Sequence, residues 1–327
     1  MTVSRLSLAI EEGLVALDPG ARVVVLRPRA GYALSSIDKP DIVQTFYTDA
    51  RVFEDAGLRV LGEPDGPPDG PYDAAVVCLP RVKAEARGLI EAAARVSRGG
   101  PVIVDGQKVD GIDSVLRDVK KRTSIHGVLS KAHGKIFAFE GGDFSDWADP
   151  GPLNACGFQT LTGVFSADGP DKASILLADV LPSLNGRIAD LGAGWGYLSA
   201  RTLERSPDVT ECHLIEAEAR ALACARVNVT DPRARFHWGD ATAATEPENL
   251  DHVIMNPPFH NTRTPDPGLG RAFIATAARL LTPRGTLWLV ANRHLPYEIT
   301  LAELFTDVQE VGGNTGFKVL RATRPKP

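Results

Sequence analysis

One four-residue run, Asn256-Pro257-Pro258-Phe259, combines groups that could activate an amine. The apolar residues 253–255 before it predict a buried strand, and two prolines cannot continue a strand ladder, so the backbone leaves the sheet on a fixed path. The side-chain oxygen of Asn256 and the carbonyl oxygen of Pro257 can then accept both hydrogens of one planar amine, beside the Phe259 ring. Because the lone pair of such an amine is delocalised, acceptors placed where positive charge develops would favour its attack on an electrophilic carbon.

The same run is also consistent with a strand followed by a Pro-Pro turn and no chemistry. If it is functional, the amine can belong to a nucleobase or to a carboxamide, and the four residues do not separate the two. The following loop, residues 260–268, could flank the target group.

A glycine-rich turn precedes this run by about sixty residues. Residues 186–191 predict a short strand, and Gly192, Gly194 and Gly196 follow it where a helix begins. Glycines allow a tight turn and the close approach of a ligand. The Gly-x-Gly-x-Gly spacing differs from the Gly-x-Gly-x-x-Gly of dinucleotide-binding folds, which argues against a nicotinamide enzyme.

Two acidic residues end the next two predicted strands. A carboxylate at Glu216 could hold a ribose diol, and one at Asp240 could accept from an adenine amino group, although each acid singly is also typical of a solvated loop. Ligands of doubly wound parallel sheets bind at the carboxyl ends of the strands. We therefore expect Gly192, Gly194, Glu216, Asp240 and Asn256 to meet at one edge of a sheet.

The glycine turn, the two acids and Asn-Pro-Pro-Phe, in this order, resemble class I S-adenosylmethionine-dependent methyltransferases that act on planar amino nitrogens. The resemblance covers residues 158–323. It is most specific at residues 163–169, 256–260, 290–297 and 315–319, which are similar to the ribosomal RNA guanine-N2 methyltransferases of the RsmC and RlmG type.

The resemblance implies S-adenosyl-L-methionine as cofactor and N2 of a guanine in ribosomal RNA as acceptor, with 16S RNA of the small subunit as first choice. The alternatives are adenine N6, a protein glutamine, or a non-catalytic RNA-binding assembly factor. The resemblance also implies that Asn256, Pro257 and Phe259 are the catalytic residues and that no metal is required. The implied cofactor-binding residues are Phe165, Asp190, Gly192, Gly194, Gly196, Glu216, Asp240, Ala241 and Asn256. Phe165 would close over the methionine end of the cofactor, or alternatively pack into the core.

The composition is that of a globular protein with room for two domains, at 327 residues, 43% hydrophobic and 24% charged. No apolar run reaches the length of a membrane span and no secretory signal pattern opens the chain, so we expect a cytoplasmic protein. The four cysteines form no Cys-x-x-Cys pair and have no histidine at ligand spacing, so we expect them to be reduced and structural.

The formal net charge of −5 is unfavourable for an RNA enzyme, because phosphate contacts require lysine and arginine. One local stretch is strongly basic and contains a single acid, Asp118. We predict that it contacts ribosomal RNA or the ribosomal subunit, with a solvated helix face and its loop as the alternative. Its cations are Arg117, Lys120, Lys121, Arg122, Lys131 and Lys135, with His126 and His133 between them.

The first half of the chain repeats the plan of the second. Residues 72–80 parallel residues 250–258, and residues 91–104 follow the same helix, glycine turn and strand plan as residues 275–290. The pattern predicts an α/β protein of two tandem class I methyltransferase-like, Rossmann-like doubly wound domains. We place the domains at residues 1–145 and 146–327, with the boundary in the Gly-, Asp- and Pro-rich residues 141–157.

The first copy lacks the residues that carry the chemistry. It has Leu26-Arg27-Pro28-Arg29-Ala30-Gly31 in place of the glycine turn and Cys78-Leu79-Pro80 in place of Asn-Pro-Pro. We therefore expect a degenerate domain that supports RNA or substrate binding. Its predicted elements include a helix over residues 6–17 and a strand over residues 23–26, and the chain should end in a hairpin of residues 304–311 and 317–322.

Overall fold

The structure is a computed structural model that describes residues 4–62, 70–258 and 267–327. The chain divides into two compact units, Met1–Gly151 and Pro152–Pro327. The division lies inside the Gly-, Asp- and Pro-rich segment 141–157. No helix in the described ranges is both long and apolar enough to cross a membrane.

The first unit is a twisted, mostly parallel sheet with helices around it. In the described part, seven strands are ordered β3-β2-β1-β4-β5-β7-β6; β7 runs antiparallel to β5 and to β6, and the other pairs are parallel. Its elements are α1 (Arg5–Glu11), β1 (Val23–Leu26), β2 (Asp41–Val43), α2 (Tyr47–Asp55), β3 (Val60–Leu61), β4 (Ala74–Cys78), α3 (Lys83–Ser97), β5 (Val102–Gln107), α4 (Ile112–Val119), β6 (Ile125–Lys131) and β7 (Gly134–Phe139).

Continuous apolar runs explain the centre of this sheet. Every residue of β1 and of β4 is buried, as expected for strands covered on both faces. The predicted strand at residues 23–26 is confirmed, but the predicted first helix is too long. It ends early because Gly13 adopts φ 71° and the amides of Gly13 and Leu14 donate to the carbonyls of Ile10 and Ala9, which is a Schellman C-cap.

The second unit repeats this architecture. Seven of its described strands are ordered β12-β11-β10-β13-β14-β16-β15, and β8 pairs with β9 in a separate hairpin. Its elements are β8 (Leu153–Ala155), β9 (Phe158–Thr160), α5 (Lys172–Val180), β10 (Gly186–Leu191), α6 (Tyr197–Arg205), β11 (Val209–Glu216), α7 (Ala219–Asn228), β12 (Ala234–Trp238), β13 (Leu250–Met255), α8 (Pro267–Leu280), β14 (Leu281–Asn292), α9 (Tyr297–Leu304), β15 (Phe305–Gly313) and β16 (Phe317–Pro325).

When the strands of each seven-stranded sheet are numbered along the chain, both sheets have the order 3-2-1-4-5-7-6, which confirms two tandem methyltransferase-like units. The predicted final hairpin is also confirmed, since β16 is antiparallel to both β14 and β15. Helix α9 was not predicted from the sequence. Tyr297 and Leu301, one helical turn apart, are buried on its inner side and were the available signal.

The register of the second sheet brings the predicted site residues to one edge. Leu191 at the end of β10 pairs with Ile215 of β11 and with Met255 of β13. The residues that follow these three strand ends are therefore neighbours at the carboxyl edge. The hydrophobic core has a layer on each face of this sheet. Helices α8 and α9 pack on one face, and α5, α6 and α7 pack on the other.

Candidate active site

The glycine turn after β10 has a left-handed backbone conformation, which residues with a side chain rarely adopt. Gly192, Gly194 and Gly196 have φ of 75°, 55° and 90°. A Cβ on Gly196 would come within 2.8 Å of the Val229 side chain, whereas one on Gly194 would meet nothing within 4 Å. Gly196 is therefore needed for packing against α7, and Gly194 opens onto free space where a ligand can approach the backbone.

Glu216 braces this turn. Its carboxylate accepts from the backbone N–H of Gly194 and from that of Glu218, both at 2.8 Å. Burial raises the pKa of the Glu216 carboxyl, while these two hydrogen bonds act in the opposite direction. Each oxygen retains acceptor capacity, so the side chain can hold the turn and still accept from a ligand hydroxyl.

Asp190 is completely buried beneath the turn. Its Oδ2 accepts from the Ser199 hydroxyl at 2.8 Å, and its Oδ1 has no hydrogen-bond partner in the described ranges. Burial raises the pKa of Asp190 to about 7, and the charge of Glu216 adds to the shift. An unsatisfied buried acceptor of this kind is uncommon and is typical of a functional position.

Asp240 and Ala241 lie beyond the end of β12. Asp240 Oδ1 accepts from the backbone N–H of Thr242 at 2.8 Å and from its hydroxyl at 2.7 Å. This local turn fixes one carboxylate oxygen and leaves the other to accept from a ligand. Ala241 is buried.

Asn256 is anchored by its amide nitrogen. Nδ2 donates to Asp171 Oδ2 and to Ser174 Oγ, both at 2.9 Å. No donor from the described part of the chain reaches Asn256 Oδ1. Pro257 is buried and Pro258 is exposed. The predicted partner Phe259, and residues 260–266 of the loop expected to flank the target, lie outside the described residues.

A cleft at the carboxyl edge joins several of these residues. The cleft is lined in part by Phe165, Asp171, Ser174, Gly192, Gly194 and Asn256. Phe165 is 63% exposed, so it does not pack into the core. Its carbonyl accepts from the indole N–H of Trp195 at 3.0 Å, which ties its loop to the glycine turn.

The cleft also contains residues that were not predicted from the sequence. Asp171 directly precedes α5, and its N-cap role had a local signal in its residue type and position. Its contact with Asn256 spans 85 positions and had no local signal. In the described ranges, no three histidine, cysteine or acidic side chains cluster to hold a metal ion.

Comparisons with known proteins agree with this fold. The family model of the methyltransferase small domain matches residues 155–321. The chain is 30% identical over 266 residues to ribosomal RNA small subunit methyltransferase C of Shewanella loihica, covering 76% of each chain. It is 30% identical over 269 residues to the protein of that name from Shewanella oneidensis, covering 77% of this chain and 78% of the relative.

One solved structure extends the match to both units. It is the T. thermophilus 16S rRNA N2 G1207 methyltransferase (RsmC) in complex with AdoMet and guanosine, with a TM-score of 0.77, 24% identity, and coverage of 94% of this chain and 90% of that chain. The fold and the strand-end site define a class I methyltransferase. The chain belongs to the methyltransferase small domain family and, within it, to the ribosomal RNA small subunit methyltransferase C proteins. The family resemblance and the assignment as a methyltransferase are thereby confirmed.

Proposed function

We propose that this protein transfers a methyl group from S-adenosylmethionine to the exocyclic N2 of a guanine in small-subunit ribosomal RNA. The names of its Shewanella relatives support the RNA, and the similar T. thermophilus N2 G1207 methyltransferase supports the guanine N2 position. The observation that carries the proposal is the anchored Asn256 amide. Its nitrogen donates to Asp171 and Ser174, which leaves its oxygen to accept from a substrate amine at the cleft.

The residues at the carboxyl edge fit the cofactor. Open space above Gly194 admits a ligand close to the backbone, and Glu216 and Asp240 each keep acceptor capacity for ribose hydroxyls and an adenine amino group. The unpartnered Oδ1 of Asp190 is a further buried acceptor at the end of β10, beneath the glycine turn. When bound, S-adenosylmethionine supplies a methyl group made electrophilic by its positive sulfur.

The protein's own groups then act on the amine. Asn256 Oδ1 and the Pro257 carbonyl would accept the two hydrogens of the guanine amine and stabilise the positive charge that develops on its nitrogen. Because the methyl group is already activated, positioning supplies most of the rate enhancement, and the product amine can release its extra proton to water.

The target guanine must leave its stack to enter such a cleft. We propose the Phe259 ring as the platform on which it stacks, at roughly 1–3 kcal/mol by general base–aromatic estimates. Phe165, exposed at the cleft, is the proposed cover of the methionine end of the cofactor.

RNA contact by the basic stretch is the remaining part of the proposal. The stretch is not one helix face, since it runs from the end of α4 through the β6–β7 hairpin. Several of its cations are already paired: Arg122 with Asp146, Lys135 with Asp113 at 2.6 Å, and Lys121 with Asp118 at 3.7 Å. Lys120 and Lys131 are exposed and have no ion pair in the described ranges, so we assign the phosphate contacts to them first.

Mass spectrometry of ribosomal RNA nucleosides, from cells with and without the gene, tests the reaction. The proposal predicts that N2-methylguanosine in small-subunit RNA falls by one residue per ribosome and is restored by the wild-type gene but not by an Asn256→Ala gene. A change in N6-methyladenosine would instead identify adenine as the acceptor. Unchanged RNA nucleosides would contradict an RNA methyltransferase and leave protein glutamine or an assembly role.

A further inference from the structure

The carboxylate of Asp171 lies where the catalytic unit's first helix begins. Its Oδ2 accepts from the backbone N–H of Ala173 at 2.9 Å and of Ser174 at 3.1 Å, which caps α5. The same oxygen accepts from Asn256 Nδ2 at 2.9 Å. In the described ranges, no lysine or arginine pairs with Asp171, and Oδ2 accepts from these three N–H groups.

The amide of Asn256 has a defined orientation because of these acceptors. A primary amide has two N–H donors on one side and one oxygen on the other, and Nδ2 donates to both Asp171 and Ser174. Rotating the amide by half a turn would place its oxygen against Asp171 Oδ2, which is itself the acceptor for the backbone N–H groups of Ala173 and Ser174. The nitrogen must therefore face α5, and the oxygen must face away from it.

We propose that Asp171 is a positioning residue, which acts with Ser174 to hold the oxygen of Asn256 toward the substrate amine. This inference rests on the proposed function, since it assigns no separate chemistry to Asp171. It makes the start of α5 part of the catalytic arrangement, although Asp171 is 85 positions from Asn256. The loop that carries Phe165 leads directly into this residue, so the cleft wall and the catalytic amide share one anchor.

Replacing Asp171 by serine separates the two roles of the side chain. Serine is a good N-cap and can still accept from the helix, but it is too short to reach Asn256. We expect the single-turnover rate with saturating cofactor and RNA to fall about ten- to a hundredfold, as for a misplaced catalytic group. Affinity for S-adenosylmethionine and the Tm should change little. Ser4→Ala, which removes the hydrogen-bonding cap of α1 in the first unit, is the matched control and should lower stability without changing this rate.

The conservative variant Asp171→Asn should restore part of the rate. Its oxygen must face the N–H groups of Ala173 and Ser174, and it then occupies the position from which it can also accept from Asn256. An Asp171→Asn enzyme no faster than Asp171→Ser would overturn the proposal. Adding Ser174→Ala to Asp171→Ser should reduce the rate further, because the second acceptor for the amide is then removed as well.

Combining the change with Asn256→Ala provides the decisive comparison. If Asp171 acts through Asn256, then Asp171→Ser should cost nothing further in the Asn256→Ala enzyme. Losses that multiply would overturn positioning and assign Asp171 to cofactor binding or to the fold. An Asn256→Ala enzyme with normal activity would contradict the proposed function itself, whereas an inactive Asn256→Ala enzyme with a fully active Asp171→Ser enzyme would contradict only the positioning role.

Discussion

The two units have the same backbone fold, and they differ in the side chains at the carboxyl ends of their strands. In the second unit, Gly192 follows β10 at φ 75° and its N–H donates to the Ile215 carbonyl at 2.9 Å. In the first unit, Arg27 follows β1 at φ 60° and its N–H donates to the Val43 carbonyl at 2.8 Å. The first turn thus has the same left-handed conformation and the same hydrogen bond without the glycine that favours them.

Side chains occupy the region of the first unit that corresponds to the cleft. Arg27 pairs with the buried Glu85 at 3.1 Å. Gln44, the equivalent of Glu216 by strand register, is buried and donates to the Pro28 carbonyl at 2.6 Å. Cys78 stands where the second unit has Asn256. The fold therefore depends on the backbone at the carboxyl edge of the sheet. Ligand binding depends on side chains that leave space at this edge.

The largest effect is expected from a substitution at Asn256, compared with the equivalent substitution at Cys78 in the first unit. Asn256→Ala should lower the single-turnover rate by roughly a hundredfold or more, by analogy with the loss of one preorganised transition-state hydrogen bond. Cys78→Ala at the matching place in the first unit should leave the rate unchanged. Rapid-quench assays of both variants measure this, and equal rates for wild type and Asn256→Ala would reject the amine-activation mechanism.

A second prediction concerns Glu216 and Gln44, which occupy equivalent positions by strand register in the two units. Glu216→Ala should weaken S-adenosylmethionine binding by about 1–3 kcal/mol, because it removes a charged acceptor and leaves the Gly194 amide without its partner. Asp240→Ala should act in the same direction. Calorimetry of wild type should show one cofactor per chain, and Gln44→Ala should bind it normally. Two bound cofactors would mean that the first unit is not degenerate.

Asp190 should make the stability of the second unit depend on pH. The first unit has no buried acid at the corresponding position. Because the folded pKa is raised to about 7, the native state keeps the proton between the ordinary aspartate pKa and 7, and stability falls as pH rises through that window. Asp190→Asn removes this loss. Its Tm relative to wild type should therefore be higher at pH 8 than at pH 5, by a few degrees for about 1–2 kcal/mol. Thermal melts at both pH values without cofactor measure the difference, and a shift independent of pH would show that Asp190 ionises normally.

The smallest effect concerns RNA binding by the first unit. Neutralising Lys120 and Lys131 to alanine should flatten the dependence of log affinity on log salt by about 0.7–0.9 for each phosphate that is no longer bound. Neutralising Lys121, which already faces Asp118, should have less effect. Filter binding of ribosomal RNA across a salt series measures the slopes. If both changes give the wild-type slope, the basic stretch is a solvated surface.

The sequence predicted most of what depends on local pattern. The strands around Gly192, Glu216 and Asn256 were found because apolar runs, glycines and prolines mark parallel strands and their ends. The early end of α1 also had a local cause, Gly13, which the periodicity of apolar residues alone overlooked.

Contacts between distant segments could not be predicted in the same way. Asp171 and Asn256 meet only after the sheet has formed, and no spacing rule connects them. The double role of Glu216 was hidden for the same reason, since a strand-end acid does not reveal that backbone amides of a neighbouring turn already bind it. Sequence pattern thus located the edge of the sheet, and only the structure showed how its side chains are held.

The two hydrogen bonds that hold the Glu216 side chain affect the thermodynamics of ligand binding. Its side chain is already fixed by two backbone amides before a ligand arrives, so its rotamer entropy is lost during folding and not during association. Immobilising a comparable flexible side chain on binding costs about 0.5–1.5 kcal/mol. A preorganised carboxylate avoids that cost, and the glycine turn that it supports is already held in place before a ligand binds.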